Sequence, residues 1–463
     1  MILLAALLAL PLIGGIFAAM LVNSKLSRAV AICALAANCV ITFYAYGLDA
    51  TAPWISSLGA GIHLRLDGFS FVLVLLANVL TLLAVCYSAE SHKRREGLFL
   101  FLLLTTLSGI IGVFMAFDLL LFFLFWEVML VPLYFLLLLF GEEQRQKAAT
   151  RFLILTQSSG LILLISIVAL YVLSGGTTFD YVDLLARQRS DVDLVVSLGF
   201  LLAFLVKLPA LPFHIWMPSV FTNTPVSALM TGILIKTGAY GLMRFYVPLF
   251  PDVTSEIAPY LMILGMIGLI YGSLAAYSQK DIKKILAYST IAHVGLILAG
   301  IFTQSSIAFT GVAVLLVTQA IGTGALLLIC NHVYASTHSR ELGRFSGLFA
   351  SMPNAGVFAL MFVMASVGLP GLGNFVGEYY VLLGLFQTDW RIAVVATIGI
   401  VLSALYMLRF MHRIFFGEQS GVHQPSDLSR GSILVFSILI AIVVFIGFYP
   451  SLLIDTVSRS WGG

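Results

Sequence analysis

DLLLFFLFWEVMLVPLYFLLLLF, residues 118–140, is an apolar run with one charge in its interior, Glu127, and one proline, Pro132. About 20 such residues cross the hydrocarbon core of a bilayer as a helix. An ionisable side chain at that depth costs roughly 2.5–3.5 kcal/mol on insertion scales, so it persists only when paired, buried among helices or beside a wet path. Glu127 is therefore a candidate for chemistry inside a membrane.

The rest of the chain has the same character. Of its 463 residues 60% are hydrophobic and 10% charged, and the mean hydropathy of +1.07 lies far above that of a soluble globular domain. Apolar stretches of spanning length recur along it, about fourteen in all, with no room between them for an extramembrane domain. The expected fold is an all-α polytopic membrane protein. The first stretch, Met1 to Val22, lacks a basic leader and a cleavage site and reads as a retained helix. Cys33, Cys39, Cys86 and Cys330 fall in or beside apolar segments without CxxC spacing and read as small core residues. Metal, iron–sulfur, haem and nucleotide sites have no support in the sequence, nor does nucleic-acid binding.

Charges inside other spans extend the pattern. Glu378 is a second buried acid, and Lys207 and Lys236 are amines in apolar stretches of their own. Burial disfavours the charged form of each, so acid and amine approach one another in proton affinity and can exchange protons near neutrality. Structural ion pairing is the plain alternative; four such groups in separate spans favour a relay. Two spans are also interrupted. The seventh holds Lys207-Leu208-Pro209-Ala210-Leu211-Pro212 and the twelfth Gly368-Leu369-Pro370-Gly371-Leu372-Gly373-Asn374, where proline removes a backbone donor and glycine adds freedom. Freed backbone groups at membrane depth are tolerated only against protein or water. His293, in Tyr288-Ser289-Thr290-Ile291-Ala292-His293, is either a satisfied buried histidine or a carrier between Lys236 and Glu378. His214, just past the first break, is read as a surface gate. Gln319 can hydrogen-bond but not titrate.

Charge sets the orientation. Connections after the odd-numbered spans hold 16 Lys and Arg and the opposite side, where Arg244 is counted, holds 6; with Lys207 and Lys236 in the membrane these account for all 24. The positive-inside bias puts the richer face in the cytoplasm and both termini outside. The chain also repeats itself: Asp118 and Asp281, Thr156-Gln157 and Thr318-Gln319, Leu208-Pro209 and Leu369-Pro370, Arg244-Phe245 and Arg409-Phe410 lie 163, 162, 161 and 165 residues apart. Five spans per copy is an odd number, so the copies lie inverted, an arrangement that places transport pathways at repeat interfaces. The expected organisation is N-terminal helices over 1–96, repeats over 97–250 and 251–417, and a C-terminal helix over 418–463.

The runs Phe125 through Pro132 (FWEVMLVP), Lys207 through Pro218 (KLPALPFHIWMP), Tyr288 through Gly295 (YSTIAHVG) and Gly368 through Glu378 (GLPGLGNFVGE) resemble the antiporter-like, proton-pumping subunits of respiratory complex I. The resemblance spans essentially the whole chain, and the GNFVGE ending favours one sister subunit. It implies a fourteen-helix fold with two inverted five-helix bundles and broken seventh and twelfth helices. By motif it assigns Glu127 as the acid of the fifth helix, Lys207 as its partner, Lys236 as the central lysine, His293 as a connecting histidine and Glu378 as the terminal acid. One position departs: Gln319 stands where related sequences often carry a histidine. The resemblance also implies that NADH, flavin, iron–sulfur clusters and quinone belong to partner subunits, that this chain holds no cofactor, and that its partners are neighbouring membrane-arm subunits and lipids of a bacterial inner membrane. Competing readings are a membrane subunit of a related hydrogenase, formate hydrogenlyase or multisubunit cation/proton antiporter, and, from other classes, a stand-alone solute carrier or a membrane scaffold.

Overall fold

A computed structural model describes residues 1–87, 95–187, 194–223, 228–418 and 425–460. The chain begins with α1 (Ile2–Met20) and α2 (Ser24–Tyr44), a hairpin of β1 (Asp49–Ile55) and β2 (Ala60–Arg65), then α3 (Gly68–Tyr87), α4 (Glu96–Met115), α5 (Leu119–Phe140) and α6 (Arg145–Leu173). The short α7 (Tyr181–Ala186) leads to α8 (Leu194–Lys207), α9 (Trp216–Asn223), α10 (Ala228–Gly241), a π-helical turn at Leu242–Tyr246, and α11 (Val247–Leu249). Then come α12 (Pro251–Ser278), α13 (Ile282–Phe302), α14 (Ser306–Thr337), α15 (Pro353–Ser366), α16 (Gly373–Thr388), α17 (Trp390–Ile414), α18 (Arg430–Phe448) and α19 (Pro450–Ser458).

The chain is a multi-pass membrane protein. Among the described residues 11 helices are long and apolar enough to cross a bilayer. The remaining apolar helix comes in shorter pieces, among them α8 and α15. Ile2, Ile165, Phe386 and Leu452 stand exposed, as lipid-facing side chains do. Both expected interruptions are present: α8 stops at Lys207, and α15 and α16 leave Val367–Leu372 between them.

Two compact units divide the chain. The first comprises Met1–Leu208, Ile233–Ala258 and Thr456–Gly463. Asp118 caps α5 by accepting from Leu120 N and Leu121 N at 2.9 and 3.0 Å, which satisfies donors left free at a helix start. The second comprises Pro209–Gly232 and Pro259–Asp455. There Asp281 caps α13 in the same way, accepting from Lys283 N and Lys284 N at 2.9 and 3.2 Å. Each capping aspartate also forms an isolated antiparallel bridge, Asp118 with Asp180 and Asp281 with Glu341.

Several sequence expectations need correction. The antiparallel hairpin, with Asp49 opposite Arg65, was not expected in an all-α chain. It is held by contacts from far along the sequence: Phe117 N donates to His63 O at 2.9 Å, and Gly61 N to Asp118 Oδ2 at 3.0 Å. Of the cysteines only Cys330 is buried; Cys33 and Cys86 are exposed and Cys39 half-buried. Arg244 does not lie in a loop. It is buried in the π-helical turn, paired with Asp67 at 2.5 Å. Lys283 is likewise buried, its amine 5.3 Å from the centre of the Tyr334 ring. His214 is buried rather than at the surface, with Nε2 3.3 Å from the Tyr271 hydroxyl. Lys93, Arg94 and Arg189, used for orientation, lie outside the described residues.

Candidate functional site

In the first unit the site is built on α5, α6, α8 and α10. Glu127 lies nine residues beyond the Asp118 cap, about 13 Å along the helix. Its Oε2 accepts a hydrogen bond from Gln157 Nε2 on α6 at 2.8 Å, while Oε1 has no hydrogen-bond partner. Gly160, one turn beyond Gln157, leaves the room: a Cβ there would collide with Glu127 Oε1.

Lys207 is the last residue of α8 and is fully buried. Its amine makes no hydrogen bond. It sits 5.0 Å from the centre of the Trp126 ring, a cation–π contact that partly replaces lost hydration. Phe122 and Phe204 wall the indole at 5.5 and 5.8 Å between ring centres. The amine and the Glu127 carboxylate interact electrostatically, and neither the amine nor Oε1 is locked into a hydrogen bond. A pair coupled by charge and not by contact can separate or close at little geometric cost.

Lys236, on α10, is 1% exposed. Its helix runs directly against the end of α8, because a Cβ on Gly238 would collide with Phe204 O and Leu208 N. The two lysine-bearing helices are thus in backbone contact just where α8 breaks.

In the second unit, His293 on α13 and Glu378 on α16 come together, with Nε2 and Oε1 3.7 Å apart. His293 Nδ1 is 2.8 Å from Ser289 O. A carbonyl only accepts, so Nδ1 carries a hydrogen and the neutral ring turns its unprotonated Nε2 toward the carboxyl group. A proton can then reside on either partner. Tyr406, on α17, donates to Ser289 Oγ at 2.9 Å and lies within electrostatic range of Glu378. Gly368, at φ +76°, packs so closely that a Cβ would strike Glu378 Oε2. Gln319 is buried on α14.

Of the residues singled out in the sequence, the structure pairs Glu127 with Lys207 and His293 with Glu378. Gln157 as the partner of Glu127, Gly160 behind it, Trp126 under Lys207, and Tyr406 were missed. In the sequence Gln157 stands out only as a repeat marker, although an amide in an apolar span needs a partner and signals one. No group of three or more His, Cys, Asp and Glu among the described residues is placed to hold a metal ion.

Residues 116–403 match the family described as NADH:quinone oxidoreductase/Mrp antiporter, TM. The chain belongs to that family. Similar proteins include NADH-quinone oxidoreductase subunit M of Pseudomonas aeruginosa, 40% identical over 89% of this chain and 83% of the relative. Subunit M of Escherichia coli K12 is 38% identical over 87% of this chain and 82% of the relative. Among solved structures, a chain of respiratory complex I from Thermus thermophilus with bound NADH superposes with a TM-score of 0.90 at 28% identity, each chain covered completely. A chain of the Mrp complex from Dietzia shares the fold at TM-score 0.89 and 22% identity, covering 99% of this chain and 97% of that one.

Proposed function

We propose that this chain is a proton-translocating subunit of the membrane arm of a respiratory NADH-quinone oxidoreductase, of the subunit M type. The observation that carries the reading is the pair in the first unit: a buried lysine amine without a hydrogen bond, resting on Trp126 and coupled by charge to a carboxylate with one unbonded oxygen. A structural salt bridge would use its hydrogen bonds, because a buried charge left unpaired is costly. A switch needs them loose.

In this account Glu127 holds the Lys207 proton by charge. When a charge change in a neighbouring subunit weakens that hold, Lys207 passes its proton toward Lys236, and the transfer continues through His293 to Glu378. In a low-dielectric interior a unit charge displaced by a few ångströms changes neighbouring proton affinities enough to drive directional transfer. At Gln319, which cannot titrate, the proton crosses by water or by another route. Redox chemistry with NADH and quinone belongs to partner subunits, with their flavin and iron–sulfur clusters, and this chain contributes translocation alone. It sits in the bacterial inner membrane beside other antiporter-like subunits, with both termini on the outer side. The matched caps of Asp118 and Asp281 and their matched bridges support an inverted duplication over 97–250 and 251–417.

The test is isolation of the native complex, identification of its subunits, and quinone-coupled proton uptake in vesicles with Glu127→Gln. Normal uptake with verified incorporation contradicts the reading.

A further inference from the structure

Beyond the relay, α10 and the π-helical turn that continues it carry a second set of buried polar groups. Lys236, Tyr240 and Arg244 follow one another at intervals of four and so share a helix face; they are 1%, 0% and 5% exposed. From Lys236 to Arg244 the helix advances about 12 Å, toward the end where Asp67 joins β2 to α3. A line of polar side chains from a buried lysine toward a membrane surface is a potential leak. This one ends in groups that cannot pass a proton.

The hydrogen bonds of the Tyr240 hydroxyl are committed. Tyr240 has one hydroxyl hydrogen and donates it to Phe114 O at 2.9 Å. Its oxygen lies 3.1 Å from Ser70 Oγ, which therefore donates, and it also receives a hydrogen bond from Arg244. A carbonyl accepts but does not relay. The guanidinium donates only and never deprotonates in a protein. To carry a proton onward, Tyr240 would have to accept it beside a fixed cation. That cation is held in place by Asp67 Oδ2 at 2.5 Å and by the rings of Phe117, Tyr240 and Phe69 at 5.1, 5.6 and 5.9 Å. Asp67 is itself fixed, its Oδ1 accepting from Ser70 N at 3.0 Å. The π-helical turn at Leu242–Tyr246 carries Arg244 at this point, and such turns recur at functional sites.

We propose that Arg244, positioned by Asp67 and bonded to Tyr240, is an electrostatic seal that stops protons on Lys236 from escaping along α10 to the hairpin side. The same device, a fixed arginine, bars protons from other membrane pores. The inference rests on Lys236 carrying a proton.

The experiment is the passive decay of an imposed pH gradient across vesicles containing the assembled complex, with no electron donor. Asp67→Asn combined with Arg244→Met removes both charges while keeping the cap on Ser70, and replacement of a buried pair by neutral groups is often tolerated. The gradient should decay several-fold faster than with the unaltered complex, and Arg244→Lys, which keeps the cation, should remain tight. Arg244→Gln, which keeps a donor toward Tyr240, serves if the double variant does not assemble. Unchanged decay in an assembled neutral variant overturns the seal; so does failure of both neutral variants to assemble while Arg244→Lys assembles normally, because the cation is then structural. Adding Lys236→Met to the leaking variant separates the two readings. Loss of the leak supports Lys236 as its source, whereas a persistent leak overturns the proposal that the seal guards Lys236 and leaves the relay to be decided by coupled uptake with Lys236→Met alone.

Discussion

Glu378 Oε1 stands 3.7 Å from His293 Nε2, while the other ring nitrogen is held by Ser289 O at 2.8 Å. The carbonyl fixes the tautomer, so the nitrogen that carries no hydrogen in the neutral ring is the one that faces the acid. A relay and a structural bridge predict different tolerance at this spot. If Glu378 relays, Glu378→Asp keeps a titratable group and partial proton uptake, Glu378→Lys retains some, and Glu378→Gln loses roughly tenfold or more, in line with the loss of a proton-transfer group. If the pair is a structural bridge, Glu378→Lys is the worst of the three, since it places like charges together in a low dielectric. The check is quinone-coupled uptake in vesicles, normalised to assembled complex.

Gly368→Ala should impair uptake nearly as much as Glu378→Gln. The position has φ +76° and its Cβ would strike Glu378 Oε2, so alanine both strains the break and moves the acid from His293. Gly343, with nothing within 4 Å of a Cβ, is the control. Equal uptake by the two alanine variants contradicts a positional role for the Gly368 break.

Gln157→Leu should lower coupled uptake without preventing assembly. It removes the 2.8 Å hydrogen bond to Glu127 Oε2 and leaves the carboxylate less able to hold its charge opposite Lys207. Gln157→Glu, with like charges side by side, should be more damaging. Proton uptake and subunit content of purified membranes check both. Full uptake by Gln157→Leu removes this amide from the switch.

The hairpin should loosen in alkali. His63 bridges Asp180 at 2.5 Å and Asp49 at 2.8 Å. Burial pulls its pKa down, but the hydrogen bond and charge of Asp180, then those of Asp49, outweigh burial and hold it above the ordinary 6.5. Arg65 near Asp49 and Asp118 near Asp180 are the other charged groups facing the cluster. Burial raises Asp180, and the His63 hydrogen bond and charge more than offset it, leaving its pKa below the ordinary 3.8. A raised histidine stabilises fully below 6.5 and loses that stabilisation as pH rises through its folded value; a depressed aspartate stabilises above 3.8 and loses it as pH falls through its folded value. Attachment is therefore strongest between these limits. Hydrogen exchange of residues 49–65, corrected for intrinsic pH dependence, should speed up above neutrality, and His63→Ala should abolish that rise.

The charges within the spans were legible because they break an apolar pattern: half-buried Glu127 and buried Lys207, Lys236 and Glu378 are costly where they stand, and cost marks function at membrane depth. The breaks were legible from Pro209, Pro212, Pro370 and Gly371, whose backbone chemistry acts locally. What escaped depends on partners distant in sequence. Nothing near Lys283 announces that Tyr334 covers it, and nothing near Arg244 announces its pairing with Asp67, which lies far back in the sequence. The hairpin, short and interrupted by Pro53 and Gly59, gains its anchoring from Phe117, Asp118 and Asp180 rather than from its own strands. Gln157 and Glu127 lie on different helices, so their bond appears only once α5 and α6 are packed.

Lys236→Met compared with Lys284→Met tests the central claim most directly. Lys284, exposed at the start of α13, is the solvated control. With both variants incorporated into the native complex, quinone-coupled proton uptake in sealed vesicles should fall roughly tenfold or more for Lys236→Met and stay unchanged for Lys284→Met. Equal uptake by the two variants would contradict a proton path through the buried lysines.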